Sequence, residues 1–196
     1  MTLTPEEGKR ISDLSESIFE VLGPDKQLAI EFFVVFSRFE YALKRNQYLK
    51  KSEKASADWI NFCKKVLCPK LISNPETAKK IKRNADYLLN PDNLPKEQIR
   101  TVKGIDWRLP KREPKSRCCP SSCPSDCDIC WIIRLIKIVR NNLFHGGKYR
   151  NNEWPVDPKR DTQLVEISLL VLASCLELED VKKEFCGDEL RLSEDR

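Results

Sequence analysis

The segment VRNNLFHGGKY, residues 139–149, contains the single histidine of the chain, His145, five positions after Arg140. On a helix that ends at Gly146-Gly147, His145 lies on the last turn, where the helix dipole favours the protonated imidazole. A histidine held near its titration range at neutral pH is suited to general acid–base catalysis. The chain has 14 arginines, so one arginine near the histidine is a weak signal, and an ordinary polar helix end is the alternative.

A second segment, CCPSSCPSDCDIC at residues 118–130, contains five of the nine cysteines. Their thiolates can ligate zinc or an iron–sulfur cluster. The C-x3-C-x2-C spacing of the last three resembles the cluster loop of radical S-adenosylmethionine enzymes, but this chain lacks the length and the strands of their barrel. The candidate metal site is a structural zinc site formed by Cys118, or by Cys119 in its place, with Cys123, Cys127 and Cys130. Free thiols in a loop are the alternative.

The remaining cysteines lack metal-ligand spacing and fall in or beside predicted helices, where we expect core or surface thiols: Cys63, Cys68, Cys175 and Cys186. The N-terminus has no basic start followed by an apolar stretch, so we expect a cytoplasmic protein with reduced thiols. No apolar run reaches the roughly 20 residues that cross a bilayer, and no membrane association is expected.

The hydrophobic periodicity predicts an all-α fold. Apolar residues recur at three and four positions, as on the buried face of a helix, at about residues 4–22, 25–51, 55–68, 74–89, 128–145 and 162–185. No segment alternates like a strand. Residues 90–127 contain six of the twelve prolines, which predicts a long irregular insertion. We therefore expect one domain over residues 1–196, a bundle of four or five helices with a Pro/Cys-rich insertion.

The positive charge is unevenly distributed. The net charge is +5, and residues 96–117 alone carry eight basic and three acidic side chains. The helix at 128–145 adds a polar arc of roughly 140° opposite its apolar face, formed by Arg134, Lys137, Arg140, Asn141 and His145. This separation favours binding of a polyanion, with solvated helix faces as the alternative.

RNNLFH matches the R-x4-6-H motif of the HEPN superfamily, and FFVVFSRFEYALKR, residues 32–45, resembles an early helix of bacterial HEPN proteins. The resemblance implies a small, all-α, usually dimeric protein and, in many members, metal-independent endoribonuclease activity. It implies that Arg140 holds the scissile phosphate, and that His145 moves a proton at the ribose 2′-hydroxyl or the leaving 5′-oxygen. Asn141 would orient the phosphate or the histidine, and Glu40 is the candidate partner of Arg140.

The resemblance also implies ligands and partners. RNA is the expected ligand, and the further candidate RNA-binding residues are Lys111, Arg112, Arg134, Lys137 and Lys148. A homodimer would bring two copies of the one histidine into a shared cleft. The cleavage itself requires no metal cofactor, and a toxin or defence role with an antitoxin or another regulatory protein fits the family. One toxin subfamily has tyrosine two positions after the histidine, where this chain has Gly147.

Two rival functions remain open from the sequence. One is a non-catalytic HEPN interaction module, in which the Arg–His pair serves dimer packing. The other is a metal-binding protein in which the cysteine loop is the functional element.

Overall fold

The structure, a computed structural model, describes residues 6, 9, 25–45, 48–50, 56–102, 104–124, 127–144 and 157–186. Helices account for most of these residues, as the periodicity predicts. The helices are α1 (Lys26–Arg45), α2 (Trp59–Phe62), α3 (Cys68–Ser73), α4 (Pro75–Asn84), α5 (Asp86–Leu89), α6 (Lys115–Cys118), α7 (Ile129–Phe144), α8 (Pro158–Cys175) and α9 (Glu179–Cys186). A π-helical turn, Cys63–Leu67, joins α2 to α3, and a 3₁₀ turn covers Pro91–Asn93. The predicted helix at 4–22 lies outside the described residues, apart from residues 6 and 9, which are helical.

Two helix starts follow from local chemistry. Asn74 caps α4 by accepting a hydrogen bond from the Thr77 amide at 3.3 Å, as the sequence predicts. Asp157 caps α8 in the same way from the Arg160 amide at 3.0 Å. In both cases proline occupies the first helical position, where a missing amide hydrogen costs no intrahelical bond.

Helix α8 lies at the centre of the core, where it contacts α1, α4, α5 and α7, while α9 returns to α1. The buried stripe of α1 consists of residues three and four apart: Phe32, Phe36, Phe39 and Leu43. The apolar face predicted for α7 is buried as well: Ile132, Leu135, Ile136, Val139 and Leu143. The long helices therefore bury the faces that their periodicity indicates. Among the described residues, no helix is both long and apolar enough to cross a membrane.

The prediction that residues 90–127 are irregular, with no sheet, is wrong. Two antiparallel strands, β1 (Glu97–Thr101) and β2 (Gly104–Arg108), form a hairpin within them. The hairpin is tied to α7 by a polar contact, since the buried Asn142 side chain donates to the Lys96 carbonyl oxygen at 2.8 Å. No residue of β1 is fully buried. The strand therefore has no apolar face that would produce the alternating pattern by which strands are recognised.

The π-helical turn changes which side chains share a face. The amide of Cys68 donates to the carbonyl of Cys63, five residues earlier. Pro69 has no amide hydrogen to continue the regular four-residue ladder, which favours a break here. In a regular α-helix residues 63 and 68 would point about 140° apart. The wider turn directs both thiols towards Cys130 on α7.

Candidate metal centre

Four cysteine thiols converge from distant parts of the chain. The Sγ atoms of Cys68, Cys119, Cys123 and Cys127 all lie within 4.8 Å of one another. Cys68 begins α3, Cys119 follows α6, and the other two belong to the loop before α7. Tetrahedral zinc with Zn–S bonds of 2.3 Å places its sulfurs about 3.8 Å apart. The four thiols therefore need only a small contraction to ligate one ion.

Two short turns place the loop cysteines. The amide of Cys123 donates to the Pro120 carbonyl at 3.0 Å, and the amide of Cys127 donates to the Pro124 carbonyl at 3.1 Å. Each turn has a proline at its first position, where the ring fixes the backbone φ. The prolines that break helical periodicity in this segment thus fold it into successive turns that present thiols to one point.

A second thiol group adjoins the first and shares Cys119 with it. The Sγ atoms of Cys118, Cys119 and Cys130 also lie within 4.8 Å of one another. Cys119 Sγ is 3.3 Å from Cys130 Sγ and 3.9 Å from Cys118 Sγ. Cys130 Sγ is 3.5 Å from Cys68 Sγ, and the buried thiol of Cys63 also hydrogen-bonds to Cys130. Seven cysteines therefore form one cluster, which we call the cysteine cluster.

The thiols of the cysteine cluster have pKa values shifted in opposite directions. Hydrogen bonds from neighbouring thiols, first from Cys68, lower the pKa of Cys127 to about 6, and bonds from Cys63 and Cys68 lower that of Cys130 to about 3. The pKa of Cys119 is raised, chiefly by burial. Protonated, Cys130 donates to the Cys118 carbonyl oxygen at 2.8 Å; ionised, it accepts from its neighbours. Because adjacent thiolates repel one another, a bound cation would be needed to ionise the whole cluster.

The predicted ligand set is divided between the two groups. Cys123 and Cys127 belong to the four-thiol group, whereas Cys118 and Cys130 belong to the adjoining group. Sequence reasoning missed Cys68, which is separated from the loop by about fifty residues and shows no spacing relation to it. The one local signal was Pro69, directly after Cys68, because a proline within a helix marks an irregular turn.

Much of the polar arc of α7 is engaged within the protein. The Arg134 guanidinium binds Glu97 and Glu113 at 3.0 Å each. The half-buried Lys137 ammonium lies 5.9 Å from the centre of the Trp59 ring, and burial lowers the pKa of Lys137. Arg134, on the face predicted to bind RNA, therefore holds the hairpin and the loop that follows it against α7.

The loop residues predicted to bind RNA differ in their surroundings. Arg112 pairs with Asp128, directly before α7, while Lys111 is exposed. Lys148 lies outside the described residues. Lys111 and Arg112 thus both have exposed side chains, and Arg112 also has an acidic partner.

Of the predicted catalytic residues, Arg140 and Asn141 lie near the end of α7. Arg140 donates to the Asn141 side-chain oxygen at 3.2 Å, and its guanidinium carbon lies 5.6 Å from the centre of the Phe36 ring. Asn141 is exposed. Glu40 accepts a hydrogen bond from the Trp59 indole at 3.2 Å. His145 lies outside the described residues, so its position relative to Arg140 stays a prediction.

A cleft of about 310 Å³ lies between the cysteine cluster and the polar arc of α7. It runs from the cysteine cluster, past Trp59 and Trp131, to Asn141. The cluster is thus next to the polar arc of α7.

No family model matches the chain, and no curated protein or solved structure matches it either. The resemblance to HEPN proteins therefore stays a prediction.

Proposed function

We propose that this protein binds zinc through Cys68, Cys119, Cys123 and Cys127, and that the ion fastens the loop before α7 to the start of α3. The observation that supports the proposal is the convergence of four Sγ atoms within 4.8 Å of one another. In a small helical domain such a site replaces part of an apolar core, because ligation restrains segments that are distant in sequence.

The donor set favours zinc over harder cations and over an iron–sulfur cluster. Thiolates are soft ligands, and magnesium and calcium prefer oxygen. An iron–sulfur cluster places inorganic sulfide between its irons and therefore spreads its cysteines more widely than one ion does. The short separations of these four thiols match a single tetrahedral ion better.

The test is the zinc content of the purified, reduced full-length chain. We expect bound zinc in the wild type and a lower zinc content in Cys123→Ser and Cys127→Ser. Cys186→Ser is the matched control, because Cys186 ends α9 and belongs to neither thiol group. A wild-type chain that contains no zinc and takes none up would refute the proposal.

As a second function, we propose that the end of α7 binds and cleaves RNA in the manner of HEPN ribonucleases. The pairing of Arg140 with the exposed Asn141 supports this, since it presents a guanidinium and an amide together at one helix end. Arg140 would stabilise the charge on the scissile phosphate, and His145 would transfer the proton. Exposed apolar side chains on α1 support the homodimer that such a site needs: Ile30, Phe33, Val34 and Tyr41.

This function is tested with RNA and DNA of the same sequence. We expect the wild type to cleave RNA to a 2′,3′-cyclic phosphate and to spare DNA, because the 2′-hydroxyl is the nucleophile. His145→Ala should reduce cleavage by roughly 10² or more. Lys111→Ala is the control, since losing an exposed charge should weaken binding in a salt-dependent way and leave the rate at saturation unchanged. Undiminished cleavage by His145→Ala would exclude the catalytic role, and sedimentation as a monomer would exclude the shared cleft.

A further inference from the structure

Three thiols of the cysteine cluster are not used by the proposed zinc site. Cys118 and Cys63 are buried, and Cys130 is half-buried between them and the four ligands. Cysteines that serve only as core residues pack among apolar side chains and have no reason to lie together. Here Cys118 and Cys130 lie against Cys119 of the first site, and Cys63 hydrogen-bonds to Cys130, which indicates a second set of ligands.

We propose that the cysteine cluster binds two zinc ions that share the Cys119 thiolate. The first ion has the four ligands given above. The second ion would take Cys119, Cys118, Cys130 and Cys63. This inference rests on the proposed zinc site and extends it from one ion to two.

The sulfur separations fit a second tetrahedral ion. Cys119 Sγ lies 3.3 Å from Cys130 Sγ and 3.9 Å from Cys118 Sγ, against the separation of about 3.8 Å that zinc requires. Cys63, on the π-helical turn, is the candidate for the fourth ligand because its thiol hydrogen-bonds to Cys130. It lies outside the group of three thiols within 4.8 Å of one another, so it would move closer to Cys118 and Cys119 when the ion binds. One thiolate can bind two metals because its sulfur has more than one lone pair.

The local backbone fits a shared ligand. Cys118 and Cys119 are adjacent, at the end of α6, so their two thiols reach different parts of the cluster from one point of the chain. Cys63 and Cys68 are related in the same way by the π-helical turn. Each of these two pairs contributes to both ions. Two sites that share one ligand thus account both for the π-helical turn and for the adjacent cysteines Cys118 and Cys119.

The charge of the cluster is compatible with its surroundings. Seven thiolates and two zinc ions leave excess negative charge, and Lys137, Arg134 and Arg112 line the cleft beside the cluster. Carboxylates lie near the two arginines: Glu97 and Glu113 bind Arg134, and Asp128 binds Arg112. Lys137 interacts electrostatically with Glu40 and with Cys63.

The first experiment counts metal ions by native mass spectrometry of the reduced full-length chain. We expect two zinc ions in the wild type and in Cys186→Ser. Cys118→Ser and Cys130→Ser should each retain one, because the first site is intact in both. One zinc in the wild type, unchanged in these two variants, would overturn the second site and leave the first standing. No zinc at all would overturn both.

The second experiment tests whether one thiolate bridges the two ions. After replacement of zinc by Co²⁺, two cobalt ions joined by one sulfur should be exchange-coupled. The paramagnetic resonance signal per cobalt should then be weaker than in the single-cobalt Cys130→Ser protein. Two bound cobalt ions with the full uncoupled signal would overturn the bridge.

Discussion

Arg134 provides the sharpest test of how α7 holds the insertion. Its guanidinium binds Glu97 of β1 and Glu113 of the following loop, both at 3.0 Å. The side chains of Arg134, Glu97 and Glu113 are 28%, 16% and 32% exposed. They are therefore shielded from water more than an ordinary surface pair, but not fully buried.

We expect Arg134→Met to lower the free energy of unfolding by about 2 kcal/mol. Methionine keeps much of the apolar stem but removes the cation that bridges Glu97 and Glu113, which retain only their more exposed partners Arg108 and Arg117. Exposed pairs contribute about 0.2–1 kcal/mol, and removal of one partner from a fully buried pair costs about 3–5 kcal/mol. The partial exposure of this group places it between the two limits.

The assay is urea unfolding followed by circular dichroism. The urea concentration at the midpoint of unfolding is compared between proteins whose unfolding free energy depends equally steeply on urea concentration. Arg117→Met is the matched control, because Arg117 binds the same Glu113 at 3.0 Å but is 64% exposed. It should cost about 0.5 kcal/mol or less. Equal losses in the two variants would refute the structural role of Arg134. Unchanged stability with weaker RNA binding would instead restore its predicted role as an RNA contact.

Three further predictions concern α7 and the metal site. Burial lowers the pKa of Lys137, so at this residue the folded chain binds fewer protons than the unfolded chain, and stability rises as pH rises towards the ordinary lysine pKa. Lys137→Met should therefore have a higher free energy of unfolding than the wild type at neutral pH. The difference between the two proteins, measured by urea unfolding, should become smaller at alkaline pH. Asn142→Ala should lose about 1–2 kcal/mol in thermal or urea unfolding, because the Lys96 carbonyl loses its donor, whereas Asn141→Ala should leave stability unchanged and reduce RNA cleavage. Because protons compete with metal for thiolates, dialysis of the wild type at decreasing pH should release zinc; zinc retained unchanged at acidic pH would contradict thiolate ligation.

The local elements of the fold could be predicted from the sequence. The spacing of Phe32, Phe36 and Phe39 specifies a buried helical face, and the same holds for the apolar side of α7. Asn74 followed by proline specifies a helix start. These signals need only the 3.6-residue period and the geometry of a cap, and both properties belong to residues a few positions apart.

The sequence predicts that the cysteine loop could hold a metal ion, but it does not predict which thiols come together. Five cysteines within thirteen residues indicate thiolate chemistry wherever they are placed. The choice among them depends on which thiols meet, and Cys68 joins only because α3 packs beside the loop. The hairpin is a similar case, since polar contacts with α7 dock it and no apolar pattern marks it.

By itself, then, the sequence determined the helices, the concentration of thiols and the polar arc of α7. Only the tertiary structure decided that Cys63 and Cys68 belong to the cysteine cluster, and that Arg134 binds carboxylates of the insertion. The physical reason is the separation along the chain over which each interaction acts. Helix periodicity and capping act between near neighbours, whereas ligation and ion pairing depend on distances across the fold, which local patterns do not encode.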